Sequence, residues 1–242
     1  MNEAGVLDRK LLNEEAMRAA ALAHLRSVRV VGVVRVDDAG AARQAAQAFI
    51  RGGLGCVEIT LTTPEATAII TELADRYRDD PSVLIGAGTV LTRDQARAAL
   101  DAGARFLVAP VAPDIAPVAR DYGAATILGA LTPTEILAAL DKGSDIVKVF
   151  PVSAVGGPGY FNDIFGPLAG LPLWAAGGTT IAAVGDYLRA GVQVVGLAGS
   201  VLPAAAVRAG DWAAVEELAR RAAVAGDLTR SAVTPRAART AR

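Results

Sequence analysis

The feature that most constrains the fold of this chain is a regular alternation of short β-branched runs with alanine-rich runs, punctuated by glycines. Gly103, Gly123 and Gly143 are spaced by two steps of 20 residues, while Gly53 lies 50 residues before this series and Gly191 lies 48 residues after it. Each glycine directly precedes an apolar run, where a helix commonly ends in a left-handed cap. The two long spacings fit two units each, so the first and last units bring the count to eight.

Eight such units predict an α/β fold, a parallel (β/α)8 TIM barrel. The chain has 242 residues, of which 52% are hydrophobic, and barrels of this type commonly have about this size. A doubly wound open sheet is the alternative fold. That fold normally carries a glycine-rich loop after its first strand, but residues 34–38 read Val-Arg-Val-Asp-Asp.

The repeat also predicts the bounds of the elements. We expect strands at 28–34, 56–61, 83–87, 105–109, 125–129, 145–150, 172–176 and 193–198. We expect helices at 38–52, 64–78, 92–102, 113–122, 132–141, 160–168, 180–190, 202–208 and 211–225.

Three regions follow from this pattern. Residues 1–26 are expected to form a helix that flanks or plugs the barrel, residues 27–226 the barrel itself, and residues 227–242 a disordered basic tail without a hydrophobic period. The N-terminal helix, at 7–26, carries an apolar stripe of seven residues: Leu7, Leu11, Leu12, Met17, Ala21, Leu22 and Leu25. The tail has four arginines: Arg230, Arg236, Arg239 and Arg242.

Composition excludes several classes of function. A net charge of −1 gives no reason to expect nucleic acid or a charged membrane surface as a partner. The single cysteine, Cys56, cannot form an internal disulfide and is expected to pack as a small hydrophobe. No apolar run is long enough to span a membrane, and the charged N-terminus does not resemble a signal peptide. The sequence therefore predicts a soluble cytoplasmic protein, with no metal site.

Lys148 is the first candidate functional residue. Only three lysines occur in the chain, and this one interrupts a run of Ile, Val and Phe on the sixth predicted strand. A cation in such a run is costly unless it reaches solvent, pairs or loses its proton, and an unprotonated lysine attacks carbonyls. A lysine at the strand end that reaches solvent is the alternative interpretation.

Glu58 is the second candidate. It alternates with Val57 and Ile59 on the second predicted strand, which places Glu58 and Thr60 on the inner face of the barrel. A buried carboxylate there needs a partner, which a lysine from another strand could supply. Either the two residues form an ion pair that merely fills the barrel, or they support imine formation and proton transfer.

Glycine pairs follow the last two predicted strands and form a third group. Gly177-Gly178 and Gly199-Ser200 are each expected to open a helix. Backbone N–H groups at glycines and helix N-termini bind phosphate, and the loops after strands seven and eight are the usual phosphate site of such barrels. The sequence thus predicts a phosphorylated substrate. The other polar or ring residues at strand ends include Arg35, Thr62, Thr89, Pro110 and Phe150.

Five motifs occur in order along the chain: Val57-Glu58-Ile59-Thr60-Leu61, Gly86-Ala87-Gly88-Thr89-Val90, Leu131-Thr132-Pro133-Thr134-Glu135, Val147-Lys148-Val149-Phe150-Pro151 and Gly177-Gly178. Together they resemble the KDPG/KHG aldolases, which are class I aldolases for 2-keto-3-deoxy-6-phosphogluconate and 4-hydroxy-2-oxoglutarate. The resemblance covers about residues 28 to 210.

This resemblance implies a homotrimeric barrel that cleaves its substrate to pyruvate and an aldehyde without a metal or other cofactor. It implies that Lys148 forms the imine and that Glu58 shuttles protons through a water. Thr89 and the Pro110 turn resemble the contacts on the pyruvate side. Gly177, Gly178, Gly199 and Ser200 resemble the phosphate site.

Several positions depart from the pattern of the family. Thr62 stands where many members carry an arginine that binds the pyruvyl carboxylate, so Arg35 is the best substitute anion ligand in this chain. Ala175-Ala176 replaces the usual Pro-Thr, which removes a hydroxyl that faces pyruvate. Leu128 stands where a proline usually precedes the glycine, and Val152 where alanine usually follows Phe-Pro. These changes leave substrate identity open.

Two other functions are alternatives to the aldolase hypothesis. One is a non-catalytic barrel that binds sugar-acid phosphates, which the loss of the hydroxyl at Ala176 favours. The other is a phosphate-barrel isomerase that uses Glu58 as a base without an imine.

Overall fold

A closed parallel barrel forms the centre of the molecule. The computed structural model describes the backbone of residues 3–228 and the side chains of residues 11–228. Its eight strands pair in chain order, and β8 pairs with β1 to close the barrel. The strands are β1 (Val30–Val34), β2 (Cys56–Thr60), β3 (Leu84–Gly88), β4 (Phe106–Val108), β5 (Ala125–Ala130), β6 (Ile146–Val149), β7 (Leu173–Ala175) and β8 (Val194–Leu197). The predicted barrel is confirmed, and the open sheet is wrong.

Helices surround the barrel and alternate with its strands. They are α1 (Glu3–Val28), α2 (Ala39–Arg51), α3 (Ala66–Arg76), α4 (Arg93–Asp101), α5 (Ala116–Asp121), α6 (Pro133–Asp141), α7 (Pro158–Phe165), α8 (Val184–Arg189), α9 (Ala204–Ala209) and α10 (Trp212–Leu228). Short 3-10 helices lie at Val152–Val155 and Ile181–Ala183. The helix predicted at 180–190 is therefore split into a 3-10 turn and α8.

The strands alternate between an inner and an outer face, as β-geometry requires. Cys56 on β2 and Ile146 on β6 belong to an apolar cluster inside the barrel, together with Phe106 and Trp174. Val57 belongs to the layer between the strands and the helices. The same alternation puts Glu58, Thr60 and Lys148 on the inner face, because each lies an even number of residues from an inner member of its own strand.

The C-terminal half of α1 plugs the N-terminal end of the barrel. Ala21 and Leu25 are 4% and 0% exposed and pack in the inner cluster. Arg18 on α1 donates a hydrogen bond to Asp145, just before β6, at 2.6 Å. The predicted stripe is wrong at Leu11 and Leu12, which are 56% and 62% exposed. The side chain of Leu7, which was also assigned to this stripe, lies outside the described residues.

The C-terminal helix α10 runs further than the sequence indicated. Gly226 is buried, and a side chain there would lie 3.0 Å from Val30 Cγ2, so close packing against β1 extends the helix to Leu228. Asp227 and Leu228, which were expected to begin the tail, belong to α10. The rest of the predicted tail, with its four arginines, lies outside the described residues. None of the helices within residues 3–228 combines the length and apolarity needed to cross a membrane.

Candidate active site

The amine of Lys148 lies inside the barrel. Lys148 is 7% exposed and is paired in register with Gly129 on β5 and Trp174 on β7. Its Nζ lies 5.5 Å from the centroid of the Phe150 ring, which is itself 38% exposed at the mouth of the barrel. Within residues 3–228, Nζ has neither a hydrogen bond nor a salt bridge. The side chain therefore lies inside the barrel, with an amine that no described residue engages.

Glu58 is fully buried in the same interior, and neither of its carboxylate oxygens has a hydrogen-bond partner among the described residues. No salt bridge joins it to Lys148 in the described part of the chain, so the predicted ion pair is wrong. A buried carboxylate without a partner is costly, by about 1–3 kcal/mol or more. Such a cost is tolerated mainly where a ligand or a reaction uses the group.

Gly88 provides the space for the Glu58 carboxylate. A Cβ atom at Gly88 would lie 1.9 Å from Glu58 Oε1 and 2.6 Å from its Cδ. The φ angle of Gly88 is not in the left-handed region, so its backbone conformation does not require glycine. The close approach of the Glu58 carboxylate is what requires glycine at position 88. This approach also defines the direction in which Glu58 extends across β3.

A guanidinium group lies at the mouth of the barrel, between the ends of β1, β2 and β3. Arg35 Nη2 donates a hydrogen bond to Thr89 Oγ1 at 3.0 Å, and Nη1 donates to Thr62 Oγ1 at 3.5 Å. Thr89 adopts a positive φ of 57°, which is uncommon for a β-branched residue and often marks a functional turn. The structure thus brings together three of the residues predicted at strand ends.

Hydroxyl groups behind this arginine tie it to β1. Thr62 Oγ1 lies 3.0 Å from Thr60 Oγ1, and Thr60 Oγ1 donates to the Val34 carbonyl at 3.1 Å. Thr63 Oγ1 lies 3.2 Å from the same Thr60 hydroxyl. The Thr63 hydroxyl also lies 3.5 Å from the Val34 carbonyl, so these hydroxyls link the end of β2 to β1. Thr62 presents its lone pairs to Arg35 and orients the guanidinium.

The Pro110 turn packs against the strand that neighbours Lys148. A Cβ atom at Gly129 would lie 2.2 Å from the Pro110 carbonyl carbon and oxygen, so only glycine admits this approach. The N–H of Gly129 donates to the Val111 carbonyl at 2.7 Å, which holds the turn in place. Because Gly129 is the register partner of Lys148, the Pro110 backbone lies one strand away from the amine.

Gly177 and Gly178 bring the loop after β7 against the loop after β6. Both have positive φ, 85° and 76°. A side chain at Gly177 would meet Phe150 Cδ2 at 2.8 Å, and one at Gly178 would meet Ser153 Cβ at 2.4 Å. The helical segment that follows begins only at Ile181, after the Thr180 N-cap. The glycines are therefore needed both for conformation and for close contact.

Gly199 and Ser200 lie in an open loop, and no helix begins there. Helix α9 starts at Ala204, so the predicted helix N-terminus at this glycine is wrong: the residue before α9 is Pro203, and a turn intervenes. A side chain at Gly199 would meet nothing within 4 Å. The Ser200 hydroxyl oxygen is buried and has no hydrogen-bond partner among the described residues. The loop has room and an unused hydroxyl for a ligand.

The comparison with protein families decides between the interpretations of this barrel. A family model described as KDPG and KHG aldolase matches residues 22–218. The chain belongs to the KDPG and KHG aldolase family. It is accordingly an aldolase, an aldehyde-lyase built on the TIM barrel.

Individual aldolases agree with this assignment. A 2-dehydro-3-deoxy-phosphogluconate aldolase from Treponema pallidum (strain Nichols) is 34% identical over 199 residues, covering 81% of this chain and 93% of the relative. A probable 2-dehydro-3-deoxy-6-phosphogalactonate aldolase from Rhizobium meliloti (strain 1021) is 38% identical over 166 residues, covering 68% and 76%. The crystal structure of a Legionella pneumophila KDPG aldolase, with pyruvate captured as a covalent carbinolamine, superposes with a TM-score of 0.71 at 28% identity, covering 86% of this chain and 96% of the other.

Two residues of this aldolase have features that its sequence did not reveal. Gly88 accommodates the Glu58 carboxylate, which strand alternation cannot show because it does not give side-chain direction along a neighbouring strand. Trp174 carries an indole N–H that is buried without a partner. Its position on the inner face was predictable, but its unsatisfied donor was not.

The aldolase has no evident metal centre in the described range. Within residues 3–228 no group of three or more His, Cys, Asp and Glu side chains is arranged to hold an ion. The one cysteine, Cys56, is fully buried in the inner cluster, and this burial raises the pKa of its thiol well above the usual range. It therefore packs as the small hydrophobe that its position predicted.

Proposed function

We propose that Lys148 is the Schiff-base nucleophile of this class I aldolase. The substrate is a 2-keto-3-deoxy sugar acid phosphate or 4-hydroxy-2-oxoglutarate, and the products are pyruvate and an aldehyde. The observation that carries the proposal is the position of Lys148, which is 7% exposed on the inner face of the barrel and whose amine has no hydrogen bond or salt bridge in the described part of the chain. An amine that no described side chain engages is free to approach the carbonyl carbon of a bound 2-oxo acid.

The reaction begins when Lys148 Nζ adds to the C2 ketone and forms a carbinolamine. Loss of water gives a protonated imine, which acts as an electron sink. Glu58, directly or through a water, then takes the proton of the C4 hydroxyl. The C3–C4 bond breaks, its electron pair moves into the imine to give an enamine, and the aldehyde leaves. Protonation at C3 and hydrolysis release pyruvate and restore the amine.

Arg35 is proposed as the ligand for the carboxylate of the substrate. Its guanidinium is exposed at the mouth and is oriented by Thr62 and Thr89. The described residues offer it no carboxylate partner, so its charge is available to an incoming anion. Arginine suits this task because its planar fork binds a carboxylate through two parallel hydrogen bonds.

Arg35→Ala is expected to raise KM for the 2-oxo acid by about 10- to 100-fold, because a hydrogen bond to a charged group contributes about 1.5–3 kcal/mol. The effect on kcat should be smaller, because the charge of the carboxylate does not change during bond cleavage. Steady-state kinetics in the cleavage direction would measure both constants. An unchanged KM would remove Arg35 from the site.

A charge-relocated variant provides the matched control. The double variant Arg35→Thr/Thr62→Arg moves the guanidinium from the end of β1 to the end of β2 and keeps the net charge. If the site needs a cation at this part of the mouth, KM for the 2-oxo acid should be lower in the double variant than in Arg35→Ala. Recovery in the double variant but not in Arg35→Thr would identify the guanidinium as the active element.

The phosphate of the substrate is proposed to bind between the loops after β7 and β8. Support comes from the positive-φ glycines Gly177 and Gly178, the open space at Gly199 and the unpartnered hydroxyl of Ser200. Successive glycines expose backbone N–H groups to an anion at close range. The short helices that follow add little, so this site relies on the loops themselves.

A small panel of substrates tests the proposed function. Pyruvate release is expected from a 2-keto-3-deoxy acid with a 6-phosphate, at higher kcat/KM than from the same acid without it. Both C4 epimers belong in the panel, since the two relatives are named for gluconate and galactonate substrates. 4-Hydroxy-2-oxoglutarate tests the unphosphorylated alternative. Equal kcat/KM with and without the phosphate would contradict the phosphate site.

The same panel separates the competing functions. A ligand-binding barrel would be stabilised against thermal unfolding by the phosphorylated acids and would release no pyruvate. An isomerase would rearrange its substrate without a covalent adduct. Reduction with borohydride in the presence of pyruvate should attach one reduced pyruvate to Lys148, and mass spectrometry of the digested protein would detect it. No adduct at Lys148 would overturn the Schiff-base mechanism.

We further propose that the aldolase assembles as a homotrimer in the cytoplasm. Exposed apolar side chains support the assembly, because Leu91, Val111 and Leu137 are each more than 40% exposed and association would remove them from water. The single buried thiol of Cys56 suits a reducing compartment. A monomeric mass in light scattering would contradict the trimer.

A further inference from the structure

The indole N–H of Trp174 is an unused donor in the interior of the barrel. Trp174 lies on β7, is 0% exposed and belongs to the inner cluster. Its Nε1 atom is buried and has no hydrogen-bond partner among the described residues. Buried tryptophans usually find a partner for this group, and each exception in a folded protein needs an explanation.

The position of the indole relates it to the reactive lysine. Trp174 is the register partner of Lys148 on the neighbouring strand β6, and both residues face the interior. Adjacent strands of a sheet lie only about 4.8 Å apart, so the two side chains emerge next to each other. The unused donor and the amine therefore belong to neighbouring side chains of the same interior.

Gly196 shows where the polar edge of the indole lies. A Cβ atom at Gly196 would be 2.6 Å from Trp174 Nε1. Gly196 is two residues nearer the C-terminal end of β8 than Val194, the register partner of Trp174. The indole therefore extends toward the C-terminal end of the barrel, where the candidate site lies. Thr179 Oγ1 holds this part of β8 by donating to the Gly196 carbonyl at 2.5 Å.

Packing alone does not require a tryptophan at this position. The surrounding cluster is apolar, and Phe106, whose ring centroid lies 6.4 Å from that of Trp174, fills its own space without a polar atom. A phenylalanine at 174 would fill much of the same volume and bury no unpaired donor. The glycine at 196, whose φ is not in the left-handed region, makes room for the N–H edge in particular.

We propose that Trp174 is a ligand-binding residue whose indole N–H donates a hydrogen bond to an oxygen of the 2-oxo acid held at Lys148. The ligand class follows from the chemistry of the donor, because an N–H that cannot accept selects an oxygen acceptor and not another donor. This assignment rests on the proposed function of Lys148. It adds a specificity contact on β7, the strand that is followed by Ala176, which offers no hydroxyl.

The composition of the chain makes this contact directly observable. There are two tryptophans, Trp174 and Trp212, so a nitrogen-15 spectrum of the indole N–H groups contains two signals. Trp212→Phe leaves only the Trp174 signal and assigns it. Trp212 lies at the start of α10 and has no place in the proposed site. On reductive trapping of pyruvate, the Trp174 signal is expected to shift downfield, as a newly hydrogen-bonded proton does, while the Trp212 signal stays in place.

Kinetics provide the second measurement. Trp174→Phe keeps an aromatic ring and removes the donor, so kcat/KM for cleavage should fall by about 3- to 10-fold, the effect of losing one neutral hydrogen bond. Its melting temperature should be unchanged or higher, because an unpaired buried group has been removed. Trp212→Phe, the matched control, should retain the kcat/KM of the unaltered chain. The proposal would be overturned if kcat/KM were unchanged in Trp174→Phe and the Trp174 signal did not shift when the adduct formed. Trp174 would then have only a packing role.

A further arm separates this proposal from the Schiff-base mechanism. Lys148→Met cannot form an imine, and pyruvate can be titrated into it while the Trp174 signal is followed. A saturable shift supports the donor even if no adduct forms in the unaltered chain, in which case only the Schiff-base role of Lys148 fails. No shift in the titration and none on trapping would overturn the donor role itself.

Discussion

Lys148→Arg is expected to abolish cleavage, with kcat falling by at least about 10⁴-fold, because the substitution removes the only proposed covalent step. Arginine keeps the positive charge and much of the length of lysine, but a guanidinium does not form an imine. The measurement is pyruvate release together with borohydride trapping, and both signals should disappear. Retained turnover would favour a mechanism in which Glu58 acts as a base without covalent catalysis.

Two further variants test whether a loss of activity in Lys148→Arg comes from misfolding. Lys142→Arg makes the same change at an exposed lysine, whose Nζ donates to the Ala112 carbonyl, and should keep full activity. Lys148→Met removes the amine without placing a larger cation in the barrel, and the loss of a buried polar group without a described partner should leave the fold intact or more stable. Loss of activity in Lys148→Met with an unaltered circular dichroism spectrum would assign the effect to chemistry.

Glu58→Gln is expected to lower kcat by about 10²- to 10⁴-fold, the usual contribution of a general acid–base group. Glutamine preserves the shape that fits over Gly88 but does not accept the C4 hydroxyl proton. Borohydride should still trap pyruvate on Lys148, although more slowly, because the nucleophile remains. Stopped-flow cleavage and trapping measured on the same preparation would separate the two steps. A kcat within about threefold of the unaltered chain would remove Glu58 from the mechanism.

The same substitution has an opposite expected effect on stability. Glu58 is a buried carboxylate with no partner in the described chain, so replacing it with a neutral amide should raise the melting temperature. A group that lowers stability while raising activity is typical of a functional site. A lower melting temperature in Glu58→Gln would instead mean that the carboxylate stabilises the fold.

Much of the architecture was accessible from the sequence because two simple periodicities determine it. Glycines such as Gly103 and Gly123 have positive φ at helix ends, so their spacing counted the units correctly. Strand alternation correctly put Glu58 and Lys148 on the inner face. The predicted strand ends differ from the observed ones by two residues or fewer.

Other features depend on contacts that periodicity does not encode. The exposure of Leu11 is set by how far α1 extends beyond the barrel, and the length of α10 by the packing of Gly226 on β1. The absence of a described partner for Glu58 reflects side-chain direction across the barrel. The position of the Trp174 donor reflects the missing side chain of Gly196 on the next strand. Each of these features depends on a contact between two elements that are distant in sequence, so the pattern of a single strand or helix does not predict it.

The plug formed by α1 affects the order in which products depart. Ala21 and Leu25 pack into the apolar cluster at the N-terminal end, so substrate and products reach Lys148 from the C-terminal ends of the strands. Under the proposed mechanism, the three-carbon fragment remains tethered to Lys148 after the aldehyde has formed. The aldehyde must therefore leave first, and pyruvate last. In the synthetic direction the order is reversed, so pyruvate must bind before the aldehyde. An aldehyde that binds first would block the access of pyruvate to Lys148.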